Sequence, residues 1–319
     1  MTARAVLPHP FHWAPPATRD LMLRDPAGVL RASGITPPAD APVALLHDLL
    51  RIHGLLWRPG ELVARERFAL DPADEGLLFG RGVWDSTRTV GGVPWLWADH
   101  LARLRHTAAL LDIDLPPHPL PDASTVTAFV RTLSAHMALV VRLNVTAGPP
   151  GRPGQLWMTA QLPPAPVSAI RLQTRPHPLR EDQPHLSWKT FHYAYRFRTG
   201  AEARQQGFDS ALLLDANGCV LEASHANVFL RFQDGWETPS AVGGLLLPGT
   251  LRGLLLKKSP APVREAVVHS VRLAEVREAF VTNSNMGIVP VTAIDDRVLP
   301  VGPGTVEIQN WLKTTDPAG

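Results

Sequence analysis

Apolar and polar positions along this chain alternate in short runs that turn residues separate. Residues 1–42 are rich in proline and show no sustained period, so they predict an irregular arm with one short helix around residues 18–32. Residues 47–70 hold short apolar runs broken at Gly54 and Pro59-Gly60, a pattern that predicts two or three strands. Regular structure is therefore expected to begin after the arm.

The next part of the chain mixes strands with helices. Residues 76–97 predict three strands joined by glycine-containing turns. In residues 98–113 apolar positions recur at helical spacing, with Asp99 placed to cap the helix. The same reasoning predicts a second helix over residues 121–136 and a strand over residues 137–148. Antiparallel strands combined with helices indicate an α+β organisation.

The second half of the chain predicts more strands than helices. A helix is expected over residues 190–206, ending at Gly207. Residues 208–232 predict a β-hairpin, because Asn217-Gly218 is a strong two-residue turn signal between two β-rich runs. We further expect a strand at residues 235–237, a helix from about Thr250, and a strand at residues 278–283, before the segment GIVPV.

Length and composition suit a chain of more than one domain. The protein has 319 residues, 45% of them hydrophobic, which is enough for two domains with sizeable cores. The proline-heavy stretch QLPPAPVSAI and a shift in composition place a boundary at about residue 161. We therefore expect a proline-rich arm (1–42), a small α/β domain (43–160) and a larger, strand-rich domain (161–319).

Charge and cysteine content exclude several classes of function. The formal net charge is only +2 and no run of basic residues exceeds two, so no nucleic-acid surface is expected. The single cysteine, Cys219, excludes an intrachain disulfide and a cysteine metal cluster, and we expect no metal. Because no apolar run has the length of a membrane span or a signal peptide, we predict a soluble, unprocessed cytoplasmic protein.

Lys189 stands out because lysine is rare in this chain. Only four of the 31 basic residues are lysines, and the other three occupy ordinary solvated settings. Lys189 lies in the aromatic and apolar stretch HLSWKTFHYAYRF. An amine can lose its proton and attack a carbonyl, whereas a guanidinium stays charged, so Lys189 is a candidate Schiff-base lysine. A surface lysine whose stem covers a neighbouring ring is the alternative.

The placement of Lys189, Glu222 and Arg103 would be explained if the protein binds pyridoxal phosphate. That cofactor needs an amine for its aldehyde, an acid for its ring nitrogen and a cup for its phosphate. Glu222 ends the second strand of the predicted hairpin and could meet the ring nitrogen. Arg103 on the helix ADHLARL, and the turn LLLPGT before the helix at Thr250, could bind the phosphate. Each of these features also has a common structural explanation when taken alone.

Together the motifs resemble the class IV aminotransferases, the branched-chain aminotransferase-like group of fold type IV pyridoxal-phosphate enzymes. The resemblance runs from about Ile52 to Ile294, and its most specific piece is GFDSALLLDANGCVLEASHANVF. The other segments occur in the family order: GRGVWDSTRTV, HLARL, Lys189, LLPGTLR and EAFVTNSNMGIVPV. The resemblance implies a two-domain fold with the cofactor between the domains, and a homodimer.

The resemblance also implies roles for individual residues. Lys189 would hold the cofactor aldehyde and carry the proton, and Glu222 would pair with the pyridine nitrogen. The phosphate would be bound by Arg103, by groups of Thr250 and Leu251, and by the Ser284-Asn285 turn, and Tyr193 would contact the cofactor oxygen. Asn227 would order the loop after Glu222.

This sequence departs from the family pattern at three places. The frequent F-E-x-x-R motif appears as Trp84-Asp85-Ser86-Thr87-Arg88, with a larger ring and a shorter acid. The usual glycine-isoleucine-threonine appears as Gly249-Thr250-Leu251, which moves the hydroxyl by one residue. Tyr193 follows the lysine by four residues, where many branched-chain enzymes have a tyrosine five residues after it.

The reaction and the substrate follow less directly. Candidates for the substrate carboxylate are Arg88, Arg142 and Arg196, because an amino acid needs a cationic partner, and Trp84 is assigned to the same side. We predict an aminotransferase acting between an amino acid or amine and a 2-oxo acid. The 33-residue interval from Lys189 to Glu222 resembles aminodeoxychorismate lyase, which remains the alternative, as does a catalytically silent binding protein.

Overall fold

The computed structural model describes residues 10–177 and 188–315, and these form two β-sheets with helices around them. The helices are α1 Pro16–Arg24, α2 Pro26–Ala32, α3 Val43–Gly54, α4 Glu75–Leu78, α5 Trp97–Leu110, α6 Ala123–Leu133, α7 Ala194–Gln205, α8 Thr250–Lys258 and α9 Pro303–Thr315, with short 3-10 helices at Arg65–Arg67 and Ser270–Glu275. Among the residues described, no helix combines the length and apolar character that crossing a bilayer requires.

The strands fall into two groups along the chain. The first group is β1 Leu55–Arg58, β2 Glu61–Ala64, β3 Gly82–Val90, β4 Val93–Pro94, β5 Val140–Thr146 and β6 Leu156–Gln161. The second is β7 Ile170–Pro176, β8 Ser210–Leu214, β9 Val220–Ala223, β10 Asn227–Phe232, β11 Gly235–Pro239, β12 Val263–Ala266, β13 Glu278–Asn283, β14 Gly287–Ile294 and β15 Arg297–Val298.

The described part of the N-terminal region is more helical than predicted: the short helix expected around residues 18–32 is confirmed as α1 and α2, and α3 follows. Helices α1 and α2 pack on α3 around a cluster of buried apolar side chains: Phe11, Ala14, Met22, Val29, Leu30, Leu46, Leu49 and Leu50. Pro16 and Pro26 occupy first-turn positions, and Pro42 immediately precedes α3. Proline is well tolerated there because the first N–H groups of a helix have no partner within the helix. Proline content in this region therefore marks helix starts.

The first sheet has the strand order β2-β1-β6-β5-β3-β4, with all its pairs antiparallel. Helices α5 and α6 pack on it through a shared core that includes Leu104, Val130, Leu143 and Met158. Two of the strands predicted in residues 47–70 form on either side of Pro59-Gly60. The residues up to Gly54 form helix α3 instead.

Two local predictions in the first half are wrong. The run that begins at Gly76 forms the one-turn helix α4 and no strand. The carboxylate of Asp74 is buried and accepts a hydrogen bond from the N–H of Gly76 at 2.7 Å. This cap favours a helical turn. Helix α5 has Leu96 at its N-cap, and Asp99 lies in its first turn, where a negative charge still favours the helix.

The second sheet contains β7 to β15 and has both parallel and antiparallel pairs. Its order is β12-β11-β10-β13-β14-β7-β8-β9, with β15 paired to β14. The predicted hairpin at Asn217-Gly218 is confirmed as β8 and β9, with Gly218 at φ +79°. The boundary predicted at about residue 161 falls at the last residue of β6, just before the linker to β7, and the domain limits themselves stay a prediction.

The segment that carries Lys189 joins the two sheets. The N–H of Trp84 in β3 donates to the carbonyl of Lys189 at 3.1 Å, and the N–H of Phe191 donates to the carbonyl of Gly82 at 2.9 Å. The indole N–H of Trp84 also donates to the carbonyl of Thr190 at 2.8 Å. These bonds attach residues 189–191 to the edge of β3 at Gly82 to Trp84. The backbone of Lys189 is therefore held in place by the first sheet.

Candidate active site

A cavity of about 250 Å³ lies between the two sheets, slightly smaller than most ligand sites. Of the twelve site residues predicted from the sequence, the cavity is lined by all but Arg88. They are Trp84, Arg103, Arg142, Lys189, Tyr193, Arg196, Glu222, Thr250, Leu251, Ser284 and Asn285. Residues far apart in sequence meet here, such as Ser86 and Asn285, because β3, α5, β9, α8 and the β13–β14 turn converge.

Lys189 projects into this cavity among aromatic groups. Its Nζ lies 3.9 Å from the centroid of the Trp84 ring and donates to the hydroxyl of Tyr193 at 3.3 Å. Burial is the largest influence on this amine and lowers the pKa of Lys189, and the nearby Arg103 lowers it further. A lysine with a lowered pKa is neutral over a wider pH range, so it can attack a carbonyl.

Glu222 is held at the opposite side of the cavity by three donors. Its side chain is 2% exposed, and it projects from β9. Oε1 accepts from Nη2 of Arg196 at 2.5 Å and from the N–H of Leu247 at 3.2 Å. Oε2 accepts from Nδ2 of Asn227 at 3.3 Å, and the same amide donates to the carbonyl of Leu247 at 2.8 Å. Asn227 thus ties the Glu222 strand to the loop before α8.

Arg196 does not have the geometry expected of a substrate-binding residue. It is 1% exposed, and its guanidinium pairs with Glu222 while Nη1 donates to the carbonyl of Ser224 at 3.4 Å. Burial lowers the pKa of Arg196, but the charge of Glu222 outweighs this and raises it. Helix α7 packs against β8, and this brings Arg196 behind the carboxylate. The geometry therefore speaks against the predicted contact with a substrate carboxylate.

A second group of charges lies at the Arg103 end of the cavity. Asp85 in β3 is 1% exposed, and its carboxylate accepts from Nε and Nη2 of Arg103 at 2.9 and 2.8 Å. Nδ1 of His100 lies 2.7 Å from the same carboxylate. Burial would raise the pKa of Asp85, but Arg103 and His100 hold it well below its usual range. A bidentate carboxylate fixes the plane of the guanidinium, so Arg103 is oriented before any ligand binds.

Hydroxyl and backbone groups complete this end. Oγ1 of Thr250 lies 2.7 Å from Oγ of Ser284 and 3.2 Å from Nε2 of His100. Thr250 and Leu251 begin helix α8, whose first N–H groups have no acceptor within the helix. A cation, a helix N-terminus and two hydroxyls around one space form an anion site with the chemistry that a phosphate requires. The hydroxyl shifted by one residue in the sequence therefore still reaches this end.

Arg142 lies on the same side of the cavity as Trp84. Its guanidinium carbon is 3.8 Å from the centroid of the Trp84 ring, and its Nε donates to Oδ1 of Asn144 at 2.8 Å. Burial lowers the pKa of Arg142 to about 10. Within residues 10–177 and 188–315, no carboxylate forms an ion pair with this arginine. Arg142 therefore offers a partly desolvated positive charge to the cavity.

Arg88 is the predicted site residue that lies outside the cavity. It lines a neighbouring cavity of about 270 Å³ beside the proline-rich linker, together with Asn285. Its guanidinium carbon lies 4.6 Å from the centroid of the Trp95 ring. Successive residues of a strand face opposite sides, so Arg88, four residues beyond Trp84, lies on the same face of β3. Its distance along the strand, about 13 Å, places it beyond the cavity.

The sequence reasoning missed two histidines at this site. His100 bridges Asp85 and Thr250, and it lies one helical turn before Arg103 on α5, which is the spacing that could have indicated it. His225 lines the cavity near Tyr193, with ring centroids 6.5 Å apart. Burial, and then the charge of Arg196, lower the pKa of His225 to about 4, so this imidazole is neutral at pH 7.

A third histidine near the site predicts how stability depends on pH. Burial, and then the charge of Arg196, lower the pKa of His177 to about 3. Below about pH 6.5 this histidine is protonated in the unfolded chain but stays neutral in the folded protein. The free energy of unfolding therefore falls as pH falls. From pH 7 to pH 4 the wild type should lose up to about 3 kcal/mol more than His177→Gln. Urea unfolding of both proteins at the two pH values measures this difference, and equal losses would contradict it.

Comparison with known proteins decides the family. The model of the class IV amino-transferases matches residues 82–294, about two thirds of the chain. This chain belongs to the class IV aminotransferase family. A D-alanine aminotransferase of Bacillus licheniformis is 27% identical over 275 residues, covering 80% of this chain and 95% of that one. An aminodeoxychorismate lyase of Bacillus subtilis is 24% identical over 258 residues, covering 76% of this chain and 87% of that one.

Solved structures confirm the predicted fold. A hypothetical aminotransferase from Mycobacterium tuberculosis, in its PLP-bound form, superposes with a TM-score of 0.73 at 20% identity, covering 83% of this chain and 99% of that one. The two-sheet architecture of this class IV aminotransferase is thus that of the fold type IV enzymes. Its cofactor is pyridoxal 5'-phosphate.

The residues of the cavity fit that cofactor. Lys189 would provide the amine, Glu222 the acid for the ring nitrogen, and Arg103 with the α8 N-terminus the anion site, and all of them line this cavity. Gly249, just before α8, allows the backbone to lie close to the side chain of Asn227, because a Cβ at this position would be 2.1 Å from Oδ1 of Asn227. The arrangement leaves the space between Lys189 and Glu222 bounded by polar groups at both ends.

Proposed function

We propose that this class IV aminotransferase transfers the amino group of an amino acid or amine to a 2-oxo acid, using Lys189 as the base. The observation that carries the proposal is the placement of Lys189, Glu222 and Arg142 around one cavity. Pyridoxal phosphate, when bound, supplies a carbonyl for the amino group and a ring that withdraws electrons. The protein supplies the base, the ring acid and the cation for the substrate.

The positions of Lys189 and Glu222 in the cavity indicate the role of each in this reaction. The amine of Lys189, with its lowered pKa, would accept a proton from the substrate carbon that bears the amino group and deliver it to the former aldehyde carbon of the cofactor. The Tyr193 hydroxyl and the Trp84 ring hold this amine from two directions. Glu222 is fixed by its donors with one oxygen facing the cavity, so it would hold a proton on the ring nitrogen.

Arg142 is assigned to the substrate carboxylate in this proposal. Arg142→Gln removes a charge from the substrate side and leaves Lys189, Glu222 and Arg103 in place. We expect KM for carboxylate substrates to rise by about 10- to 100-fold, since one charge-assisted hydrogen bond is lost. Steady-state kinetics measure this change, and an amine substrate without a carboxylate is the control whose KM should change little. Equal effects on both substrate classes would contradict the assignment.

The reaction itself is tested by offering the loaded enzyme different substrates. L- and D-amino acids are offered with 2-oxoglutarate or pyruvate, and aminodeoxychorismate is offered separately. Amino-group exchange supports the proposal. Release of 4-aminobenzoate without a 2-oxo acid would instead assign the lyase activity that the Bacillus subtilis relative is named for. Silence with every substrate would indicate a protein that binds the cofactor only.

A homodimer and a cytoplasmic location remain part of the proposal. Homodimers are the arrangement that the family resemblance implies, and the single Cys219 suits a reducing compartment. Sedimentation velocity would distinguish a dimer from a monomer of 34.8 kDa.

A further inference from the structure

Arg196 is the largest side chain that is fully buried, in the part of the chain that the structure describes. A buried guanidinium is costly to desolvate unless its N–H groups are paired. Here Nη2 donates to Glu222 at 2.5 Å, Nη1 to the carbonyl of Ser224 at 3.4 Å, and Nε to the hydroxyl of Tyr195 at 2.9 Å. The guanidinium is thus fixed in one orientation, with its charge against Glu222.

Both tyrosines of the chain hold this arginine. The guanidinium carbon lies 5.2 Å from the centroid of the Tyr193 ring and 5.5 Å from that of Tyr195. Tyr193 in turn accepts from Nζ of Lys189 at 3.3 Å. Arg196 therefore connects the residue that binds the aldehyde end of the cofactor with the residue that faces its ring nitrogen. No mobile surface group could make these contacts at once.

The two oxygens of Glu222 are not equivalent. Oε1 accepts from Arg196 and from the N–H of Leu247, which uses both of its lone pairs. Oε2 accepts only one long bond, from Asn227 at 3.3 Å, among the residues described. Oε2 therefore keeps an acceptor position for one further N–H. Oε2 would accept the hydrogen bond from a protonated ring nitrogen. The charge of Arg196 would then lie on the other side of the same carboxylate, at Oε1.

We propose that Arg196 is a positioning residue that limits the negative charge Glu222 presents to the cofactor ring nitrogen. This inference rests on the proposed function. A carboxylate already paired with a guanidinium attracts a second positive charge less than a lone carboxylate does, and the guanidinium repels that charge. Arg196 thereby makes the ring nitrogen hold its proton less firmly than Glu222 alone would. The role replaces the substrate contact that the sequence predicted for this arginine.

The other titratable groups around the pair leave a pH window in which this effect can be measured. Burial lowers the pKa of His177 to about 3 and that of His225 to about 4, and burial raises the pKa of Tyr195 to about 12. These three groups keep one charge state between about pH 5 and pH 10. The remaining titratable groups that interact with the pair or its neighbours are Tyr193, Lys189, Arg103 and Arg204.

The test is ¹⁵N NMR of the protein loaded with cofactor labelled at its ring nitrogen, titrated from pH 5 to pH 10. In Arg196→Gln the midpoint for loss of the ring proton should rise by about one to two pH units relative to the wild type. Arg196→Lys keeps the charge and should stay near the wild-type midpoint. Arg198→Gln removes an exposed arginine of the same helix, paired with Glu202, and should match the wild type.

Two outcomes would overturn the proposal. If Arg196→Gln lowers the melting temperature but leaves the ring-nitrogen midpoint unchanged, Arg196 is only structural. If Arg196→Gln does not load, the same change is made in a Glu222→Gln background, where pairing predicts a smaller loss of stability than in the wild type. Equal losses in both backgrounds would contradict the pairing. A wild type that binds no cofactor would overturn the proposed function itself, which distinguishes the two failures.

Discussion

Replacing Lys189 with alanine is expected to lower turnover by at least about a thousandfold and to abolish the visible absorbance of the cofactor-loaded protein. The amine is the group of the cavity that can both bond an aldehyde and carry a proton. Its neighbours Trp84 and Tyr193 contact the lysine but cannot replace it. Absorbance spectra and initial rates of the purified protein with added cofactor measure the two effects.

A matched control comes from the same residue type. Lys258 ends helix α8 and is exposed, so Lys258→Ala should leave both the spectrum and the rate unchanged. If Lys189→Ala keeps the wild-type spectrum, the cofactor is held by another amine. If it keeps the rate as well, the cavity between the two sheets is not where the chemistry occurs.

Replacing Asp85 with asparagine is expected to destabilise the protein by about 3 kcal/mol and to weaken cofactor binding at the phosphate end. Asp85 neutralises the buried Arg103 and accepts from it through both oxygens. Asparagine has nearly the same shape but leaves the guanidinium without a counter-charge. Urea unfolding gives the loss of stability, and absorbance titration gives the loss of affinity.

The control for Asp85 is an acid whose partner is at the surface. Asp71 pairs with Arg152, whose side chain is 63% exposed. Exposed ion pairs contribute little because water and salt screen them, so Asp71→Asn should leave cofactor affinity unchanged and alter stability far less. Equal effects of the two substitutions would show that Asp85 does not orient Arg103. Glutamate at position 85, the residue more frequent in the family motif, should recover part of the lost affinity.

The sequence predicted the two ends of the cavity because those residues lie in segments with strong local signals. Glu222 follows the Asn217-Gly218 turn, which fixes the register of the β8–β9 hairpin. Thr250 begins a helix after a proline-glycine turn, and Arg103 lies on a helix with clear periodicity. Where a turn or a helix start is specified locally, the direction of the functional group follows from the sequence.

The partners of these residues could not be predicted in the same way. The ion pair of Arg196 with Glu222 spans 26 positions and depends on how α7 packs against β8. The pattern of α7 shows no clear apolar face, so nothing in it indicated that this arginine is buried. A cationic residue near a catalytic lysine was read as a substrate ligand, because the sequence does not show which acid the fold supplies.

The sequence predicted one short helix where α1 and α2 form, because proline was read by its frequency and not by its position. Pro16 and Pro26 lie in the first turns of their helices, where a missing N–H has no consequence. Apolar residues such as Leu30 and Leu50 then pack these helices into their own core. The run after Gly76 was misread for a related reason, since its helical turn depends on the buried carboxylate of Asp74.

The central claim is that one lysine, Lys189, holds the cofactor opposite Glu222. The most direct measurement is borohydride reduction of the cofactor-loaded protein, which fixes the cofactor to whichever amine binds it, followed by peptide mass spectrometry. The chain offers Lys189, Lys257, Lys258 and Lys313. We expect the added mass on the peptide that contains Lys189, and on that peptide alone. Modification of any other lysine, or of none, would contradict the account.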